Sequence, residues 1–291
     1  MAHNQTKKVI LNGLPVNKKQ ASIPAVGSAV YYGTGCFETM KSESGKIFRF
    51  QDHIQRLNDG LKYLGTSENK LLTLSDLKSD IENLLTVNGL EKDVVKIRYQ
   101  VSLIERNGYR RSSDSEIIRL AAADKISSLP TERSLSIVKT RVIPSECKPA
   151  KYKSSNMLNY RNAYREALNS GADDGIMLTI DGFVSETSIS NIFWKKDNVI
   201  FTPSVECDIL PGIMRNAVIE TLVNDNQYKV SEGVFKPAEL FQADVAWTTN
   251  SVMEIVPVKS IDGKVLATDK DFFQYLINLL SETKQRYFEN E

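Results

Sequence analysis

Histidine and cysteine are scarce in this sequence, and their scarcity excludes several kinds of chemistry. His3 and His53 are the only histidines in 291 residues, which excludes a His-rich metal site and any mechanism that needs two histidines in the folded body. We therefore predict no metal site. The cysteines, Cys36, Cys147 and Cys207, are odd in number, widely spaced and without a CxxC pair. They cannot build a full disulfide framework, which favours a reducing compartment.

Long apolar runs and an excess of either charge are also missing. No run approaches the ~20 apolar residues that cross a bilayer, and residues 1–8 are too polar for a signal peptide. We expect a cytoplasmic protein with no membrane contact. Lys and Arg number 37 against 36 for Asp and Glu, so the net charge of +1 argues against a general nucleic-acid binder. Hydrophobic residues make up 41% of the chain, enough for a substantial core.

Strand-like and helix-like patterns alternate along the whole chain. Apolar residues that recur at helical spacing predict helices, and short apolar or alternating runs bounded by turn residues predict strands. The predicted helices cover residues 54–64, 77–85, 156–168 and 213–222, with one more after residue 268. The predicted strands cover residues 9–11, 37–40, 46–50, 94–103, 117–122, 135–139, 175–180 and 191–195. The mixture predicts an α/β (mixed α+β) protein with two lobes, residues 1–126 and 132–291, joined by a polar, proline-bearing segment.

Three features downstream of the junction together provide the groups that one cofactor would need. Lys153 lies in the run KYKSSNMLN, Glu186 ends the run DGFVSE, and Gly212 begins a helix with Ile213 and Met214. An amine, a carboxylate and a helix N-terminus are the contacts that pyridoxal phosphate needs at its aldehyde, ring nitrogen and phosphate. Taken singly, each has a plain interpretation: a surface lysine, a solvated strand-edge carboxylate and an ordinary helix start.

The order of these segments and the residues in them resemble those of the class IV aminotransferases, also called fold-type IV pyridoxal phosphate enzymes. The resemblance is strongest in residues 151–159 and 181–194, and it implies a two-lobed fold with pyridoxal 5′-phosphate in the cleft between the lobes. It implies that Lys153 carries the cofactor as a Schiff base and acts as a general base once substrate displaces it. Glu186 would hold the ring nitrogen protonated. Thr187 stands where many relatives have glycine.

The resemblance also implies which residues bind the cofactor phosphate. The N–H groups of Ile213 and Met214 would contact it, together with the Ser251 hydroxyl and the Arg56 guanidinium. Met214 stands where many relatives have threonine, so only a main-chain contact carries over at this position. His53 lies in the same helix motif as Arg56, and we expect it to be structural.

Residues 32–39 resemble the strand of the family whose side chains face the substrate. Tyr31, Phe37 and Thr39 are candidates to line the substrate pocket, with strand alternation deciding which of them point inward. The basic run 106–111 follows a strand where the family has a loop that binds the substrate carboxylate, so Arg106 is a candidate, with Arg110 and Arg111 as alternatives. A solvated basic loop explains this run equally well, since Leu103-Ile104-Glu105 lack the Arg-Gly that is common there.

Within the family, three segments resemble the 4-amino-4-deoxychorismate lyases more than the aminotransferases. They are residues 33–37, 190–194 and 249–257. We therefore expect a lyase of folate biosynthesis that releases pyruvate and 4-aminobenzoate from a small amino-bearing substrate, acting as a homodimer. A D-amino acid or branched-chain aminotransferase is the alternative on the same scaffold. A non-catalytic binding module is a third alternative, against which the intact Lys153 and Glu186 argue.

Overall fold

The computed structural model describes residues 7–110 and 115–290. Its strands are β1 (Lys8–Leu11), β2 (Leu14–Asn17), β3 (Gly35–Glu43), β4 (Lys46–Ile47), β5 (Val94–Ile104), β6 (Glu116–Lys125), β7 (Arg133–Arg141), β8 (Asp174–Leu178), β9 (Val184–Thr187), β10 (Asn191–Lys196), β11 (Val199–Pro203), β12 (Lys229–Gly233), β13 (Val245–Asn250), β14 (Glu254–Ile261) and β15 (Lys264–Val265). Its helices are α1 (Ser28–Tyr31), α2 (Phe50–Tyr63), α3 (Leu74–Thr86), α4 (Leu158–Asn169), α5 (Ile213–Asp225), α6 (Pro237–Leu240) and α7 (Lys270–Glu289), with 3-10 turns at Glu68–Lys70 and Val205–Cys207.

The first of two compact units comprises the described residues up to Ser128 together with Tyr152–Asn156. Its strands form a six-stranded antiparallel sheet in the order β2-β1-β6-β5-β3-β4. Helices α2 and α3 pack on one face of this sheet, because their apolar residues recur at helical spacing and are buried there. The sequence prediction of both helices is confirmed.

The second unit comprises residues 129–151 and the described residues from Met157 onward. Its nine-stranded mixed sheet has the order β12-β11-β10-β13-β14-β7-β8-β9, and β15 pairs with β14. The pairs β11–β12, β14–β7 and β7–β8 are parallel, and the other neighbours are antiparallel. Helix α4 packs on β7 and β8, whereas α5 packs on β13 and α7.

The two sheets with their covering helices confirm the predicted mixed α/β class. Lys153 was predicted to belong to the lobe of residues 132–291, whereas the segment Tyr152–Asn156 packs with the first unit. Strand pairing across a long sequence separation causes this difference, and local composition carries no signal for it. In the part of the chain described here, no helix is both long enough and apolar enough to cross a bilayer.

Candidate active site

The backbone around Lys153 lies along the start of β3. The Phe37 N–H donates to the Lys153 carbonyl at 3.0 Å, and the Ser155 N–H donates to the Gly35 carbonyl at 2.8 Å. A Cβ on Gly35 would lie 2.4 Å from the Val101 carbonyl and 3.1 Å from Ser155 Oγ, so glycine permits the close approach of β3 to β5 and to the Lys153 segment. These main-chain contacts hold the half-buried Lys153 against the sheet.

The Phe37 ring contacts two cations on the sheet face opposite the helices. Lys153 Nζ is 4.8 Å from the ring centroid, and the Arg98 guanidinium carbon is 3.7 Å from it. Arg98 donates to Gln100 Oε1 at 3.1 Å, and Gln100 Nε2 donates to Ser155 Oγ at 2.6 Å. The first unit therefore presents a primary amine and a guanidinium over one aromatic ring.

Arg98 is a candidate that the sequence analysis missed, although β5 carries a signal for it. The buried Ile97, Tyr99 and Val101 alternate with Arg98 and Gln100 along this strand. Strand alternation therefore places Arg98 and Gln100 on the face away from the helices. The pairing of β3 with β5 places Phe37 on that face, and the contact of Lys153 Nζ with the Phe37 ring brings the lysine to it.

A buried carboxylate holds Arg56 on the other face of β3. Arg56 Nε and Nη2 donate to Glu38 Oε1 and Oε2 at 2.8 and 2.7 Å, and His53 Nδ1 lies 2.7 Å from Oε2. Burial opposes ionisation of Glu38, but the Arg56 charge and the His53 hydrogen bond outweigh it and lower the pKa of Glu38 to about 2. Burial also lowers the pKa of His53, although Glu38 partly opposes this. The neutral, buried His53 thus has the geometry of a structural side chain.

Because of the cluster of Glu38, Arg56 and His53, the folded protein becomes less stable as the pH falls into the acid range. Because the pKa of Glu38 is lowered from 4.5 to about 2, its stabilisation is complete above about pH 4.5 and is lost as the pH falls toward 2. Because the pKa of His53 is also lowered, a further loss of stability begins as the pH falls below about 6.5. We expect the free energy of unfolding, measured by urea titration from pH 7 to 3, to fall by about 2 kcal/mol through Glu38.

The control for this prediction is a pair of substitutions on the same strand. Glu38→Gln should flatten the acid dependence and lower stability at pH 7, because it leaves two donors without their anion. Glu43→Gln, which removes the partly exposed partner of Lys41, should leave the acid dependence unchanged. An equal acid slope in the wild type and in Glu38→Gln would contradict the prediction.

The predicted substrate residues of the first unit do not share one environment. Phe37 and Thr39 lie two apart on β3, so they point to the same face, and Thr39 is the register partner of Arg98. Tyr31 lies in the short helix α1, where strand alternation does not apply, and its ring is 60% exposed with an edge contact to Tyr32. The expectation that alternation would orient Tyr31 is wrong, because the strand begins only at Gly35.

The described part of the basic run after β5, residues 106–110, is exposed. Arg106 donates to Glu116 at 3.2 Å, and both side chains are about half exposed. Arg110 is exposed, and its N–H donates to the Asn107 carbonyl. Arg111 lies outside the described residues. An exposed ion pair of this kind agrees with the plain interpretation of a solvated loop.

In the second unit, hydrogen-bond donors hold both carboxylate oxygens of Glu186. Tyr160 Oη donates to Oε1 at 2.8 Å, the Leu210 N–H donates to Oε1 at 3.1 Å, and Asn191 Nδ2 donates to Oε2 at 3.0 Å. The Glu186 side chain is only 4% exposed. Donors on both oxygens favour the ionised carboxylate and fix its plane.

The surroundings of Glu186 are polarised by its charge. Burial raises the pKa of the Tyr160 hydroxyl well above its usual value, and the Glu186 carboxylate raises it further. Burial lowers the pKa of Lys148, and Glu186 opposes this shift in part. Lys148 Nζ lies 5.9 Å from the Tyr160 ring centroid. Tyr160 therefore stays protonated as a donor, a role that the sequence analysis did not assign to it.

The helix start predicted at Gly212 is present. Helix α5 begins at Ile213 with Gly212 as its N-cap residue, so the N–H groups of Ile213 and Met214 point out of its first turn. A Cβ on Gly212 would lie 2.1 Å from Asn191 Oδ1, which leaves no room for a side chain there. Glycine thus lets the Asn191 amide approach the helix start, where the main-chain N–H groups and the helix dipole favour negative charge.

Two hydroxyls lie at the end of β13, near the hairpin to β14. Ser251, half-buried, lies in the turn directly after Asn250. Thr249 is 1% exposed, and its Oγ1 has no hydrogen-bond partner within the described residues. Thr249 pairs across the strands with Asn191, so its side chain is on the same face of the sheet as the amide that contacts Gly212. An unsatisfied buried hydroxyl of this kind calls for a polar partner.

Residues 35–261 match the family model described as amino-transferase class IV. The chain is 31% identical over 261 residues to the aminodeoxychorismate lyase of Bacillus subtilis (strain 168), covering 87% of this chain and 86% of the lyase. It is 28% identical over 273 residues to the branched-chain-amino-acid aminotransferase of Escherichia coli (strain K12), covering 89% and 87% of the two chains.

Solved structures show the same architecture. The branched-chain aminotransferase of Thermoproteus uzoniensis with norvaline superposes with a TM-score of 0.84 at 28% identity, covering 96% of this chain and 93% of that one. The branched-chain amino acid aminotransferase of Thermobaculum terrenum in its PLP form superposes with a TM-score of 0.86 at 21% identity, covering 98% and 97%. The second likeness concerns the fold alone. The chain therefore belongs to the class IV aminotransferase family, as its sequence predicted.

Proposed function

We propose that this protein is a 4-amino-4-deoxychorismate lyase that releases pyruvate and 4-aminobenzoate. Family membership confirms the broader prediction of a pyridoxal phosphate-dependent enzyme. The similarity to the Bacillus subtilis lyase along most of both chains supports the specific activity. The observation that carries the proposal is that the Lys153 amine and the Arg98 guanidinium both contact the Phe37 ring. An amine and a guanidinium on one aromatic ring suit a substrate that carries carboxylates.

The residues present fit the cofactor. The residues that would hold it are Lys153 at the aldehyde, Glu186 at the ring nitrogen, and Arg56, Ile213, Met214 and Ser251 at the phosphate. No side chain caps the start of α5 in the described residues, and the Thr249 hydroxyl is buried without a protein partner among them. When bound, pyridoxal phosphate supplies a conjugated ring that takes up the electron pair left when a proton leaves the substrate carbon.

Lys153 moves the proton in the proposed reaction. Its uncharged amine takes the proton from the amine-bearing ring carbon of the substrate. The carbon–oxygen bond to the enolpyruvyl group then breaks, and its electron pair leaves with the oxygen. Return of a proton to the methylene carbon of that group gives pyruvate, and the six-membered ring becomes aromatic. One residue that first accepts and then returns a proton accounts for both products.

Glu186 and Arg98 have electrostatic tasks. The Glu186 carboxylate, oriented by Tyr160 and Asn191, keeps the cofactor nitrogen protonated. Arg98 is held by its stacking on Phe37 and by Gln100, so its guanidinium is positioned to receive a substrate carboxylate.

An assay of both products tests the proposed function. Purified holoenzyme given 4-amino-4-deoxychorismate should release pyruvate, detected with lactate dehydrogenase and NADH, and an equal amount of 4-aminobenzoate, detected by its fluorescence. Holoenzyme that contains lysine-bound cofactor but forms neither product would rule out the lyase.

An aminotransferase is the second candidate, because the aligned structures include branched-chain aminotransferases with TM-scores above 0.8. In that reaction Lys153 would move the proton between the substrate α-carbon and the cofactor. Conversion of the cofactor to its pyridoxamine form by leucine or D-alanine, without pyruvate release from 4-amino-4-deoxychorismate, would favour this candidate. Measuring the absorbance of the cofactor together with pyruvate release distinguishes the lyase from the aminotransferase.

Substitution of Arg98 should weaken substrate binding. We expect Arg98→Ala to raise KM for the dicarboxylate substrate roughly 10- to 100-fold, since a charge-assisted hydrogen bond contributes about 1.5–3 kcal/mol. Cofactor content should stay near wild type. Lys96→Ala is the matched control, because Lys96 lies two residues earlier on β5 and pairs at the surface with Asp124. An unchanged KM in Arg98→Ala would remove Arg98 from substrate binding.

We also propose that the protein forms a homodimer. Three tyrosines form an exposed aromatic cluster in the first unit: Tyr31 and Tyr32 in edge contact, and Tyr109 stacked on Tyr32 at 5.1 Å. Tyr109 is 93% exposed, and an exposed aromatic group of this size is typical of an interaction surface. Light scattering should give twice the chain mass, and Tyr109→Ser should shift the equilibrium toward the monomer. A monomeric wild type at micromolar concentration would contradict this.

A further inference from the structure

Asn191 joins two parts of the second unit through one side-chain amide. Its Nδ2 donates to Glu186 Oε2 at 3.0 Å and to the Leu210 carbonyl at 2.9 Å, so both amide hydrogens are used. The Leu210 N–H donates back to Glu186 Oε1 at 3.1 Å. The three residues therefore close a ring of hydrogen bonds between β9, β10 and the segment before α5.

The other side of the same amide lies against the start of α5. Asn191 Oδ1 lies so close to Gly212 that a Cβ there would be 2.1 Å away. Asn191 is 5% exposed, so this contact and its hydrogen bonds are shielded from water. One rigid side chain thus contacts both the carboxylate and the first turn of the helix.

We propose that Asn191 is a positioning residue that sets the spacing between the Glu186 carboxylate and the N-terminus of α5. This rests on the proposed function, in which those two groups hold the ring nitrogen and the phosphate of one cofactor. The two ends of a rigid cofactor bind together only if the protein groups that hold them stand at the matching distance. Asn191 acts on the cofactor through these groups without contacting it.

The structure offers a matched control. Tyr160 also donates to Glu186, at 2.8 Å to Oε1, but it has no hydrogen bond to the segment before α5 in the described structure. Tyr160→Phe therefore loosens the carboxylate alone, whereas Asn191→Ala loosens the carboxylate and its link to the helix start. Comparing the two variants separates spacing from carboxylate orientation.

The experiment measures the affinity of the apoprotein for three probes. Pyridoxal 5′-phosphate contacts both ends, pyridoxal contacts the ring end alone, and inorganic phosphate contacts the helix end alone. In Asn191→Ala, the preference for pyridoxal 5′-phosphate over pyridoxal should fall roughly 10-fold or more, as expected for loss of hydrogen bonds to a charged group. The affinity for inorganic phosphate should stay within about twofold of wild type, because the first turn of α5 itself is intact.

In Tyr160→Phe both pyridoxal affinities should fall by the same factor, leaving the preference unchanged. Asn191→Asp, which is nearly isosteric, provides the same test with core volume retained, since an aspartate at pH 8 donates to neither Glu186 nor Leu210. A melting temperature within a few degrees of wild type in either Asn191 variant qualifies that variant for the measurement.

Two results would overturn the inference while leaving the proposed function in place. One is an Asn191 variant, folded as judged by its melting temperature, that keeps the wild-type preference between the two pyridoxal probes. The other is a loss of inorganic phosphate affinity equal to the loss of pyridoxal 5′-phosphate affinity, which would make Asn191 a support of the helix start only. Failure of the wild type to bind pyridoxal 5′-phosphate would instead contradict the proposed function.

Discussion

Lys153→Ala is expected to lower the rate of product formation by at least about 10³-fold, because it removes both the group that holds the cofactor and the proton acceptor. Borohydride treatment of the wild-type holoenzyme should attach the cofactor permanently to a single peptide that contains Lys153. The variant should yield no such labelled peptide. Tryptic mapping by mass spectrometry measures this directly and does not depend on the identity of the substrate.

The neighbouring lysines provide the control for this experiment. Lys151, two residues earlier, is exposed, and Lys151→Ala should retain the label on Lys153 and near-wild-type activity. Lys148 is half-buried beside Tyr160 and is electrostatically coupled to Glu186, so it is the strongest competitor for the role. A label on Lys148 in the wild type would overturn the assignment of Lys153.

Glu186→Gln is expected to lower turnover by about 10²–10³-fold while the cofactor remains bound. The neutral amide cannot hold the ring nitrogen protonated, so the proton leaves the substrate carbon less readily. The amide also introduces a donor that faces Asn191 Nδ2, the donor that now serves Glu186 Oε2. Single-turnover measurements under saturating cofactor should show the loss in the chemical step, with KM for substrate changed much less.

Two milder substitutions serve as controls for Glu186→Gln. Glu186→Asp keeps the charge at a shorter reach and should retain more activity than Glu186→Gln. Tyr160→Phe removes one donor to Glu186 and should lower turnover roughly tenfold or less. A Glu186→Gln variant with wild-type turnover would show that the carboxylate has no part in the chemistry.

In the surface loop after β5 and in the short helix α1, local sequence patterns did not predict the environment of the side chains. The run 106–111 has the composition of an anion-binding loop and of a solvated loop alike, and the described part of it is exposed, with Arg106 paired to Glu116. Tyr31 was expected to follow strand alternation, yet Gly33 has a φ of +67° and separates α1 from β3. A pattern of period two applies only after the strand has begun, and the first residue of a strand is set by its pairing partner.

The sequence by itself determined the family, the mixed α/β class, the helix that begins after Gly212 and the identities of Lys153 and Glu186 as candidates. These depend on residue order and on periodicity, which short segments carry without reference to the rest of the chain. Only the tertiary structure decided that residues 152–156 lie along β3, that Arg98 shares the Phe37 ring with Lys153, and that Tyr160 and Asn191 hold Glu186. Each of these depends on partners far apart in sequence, and strand register and helix packing bring such partners together.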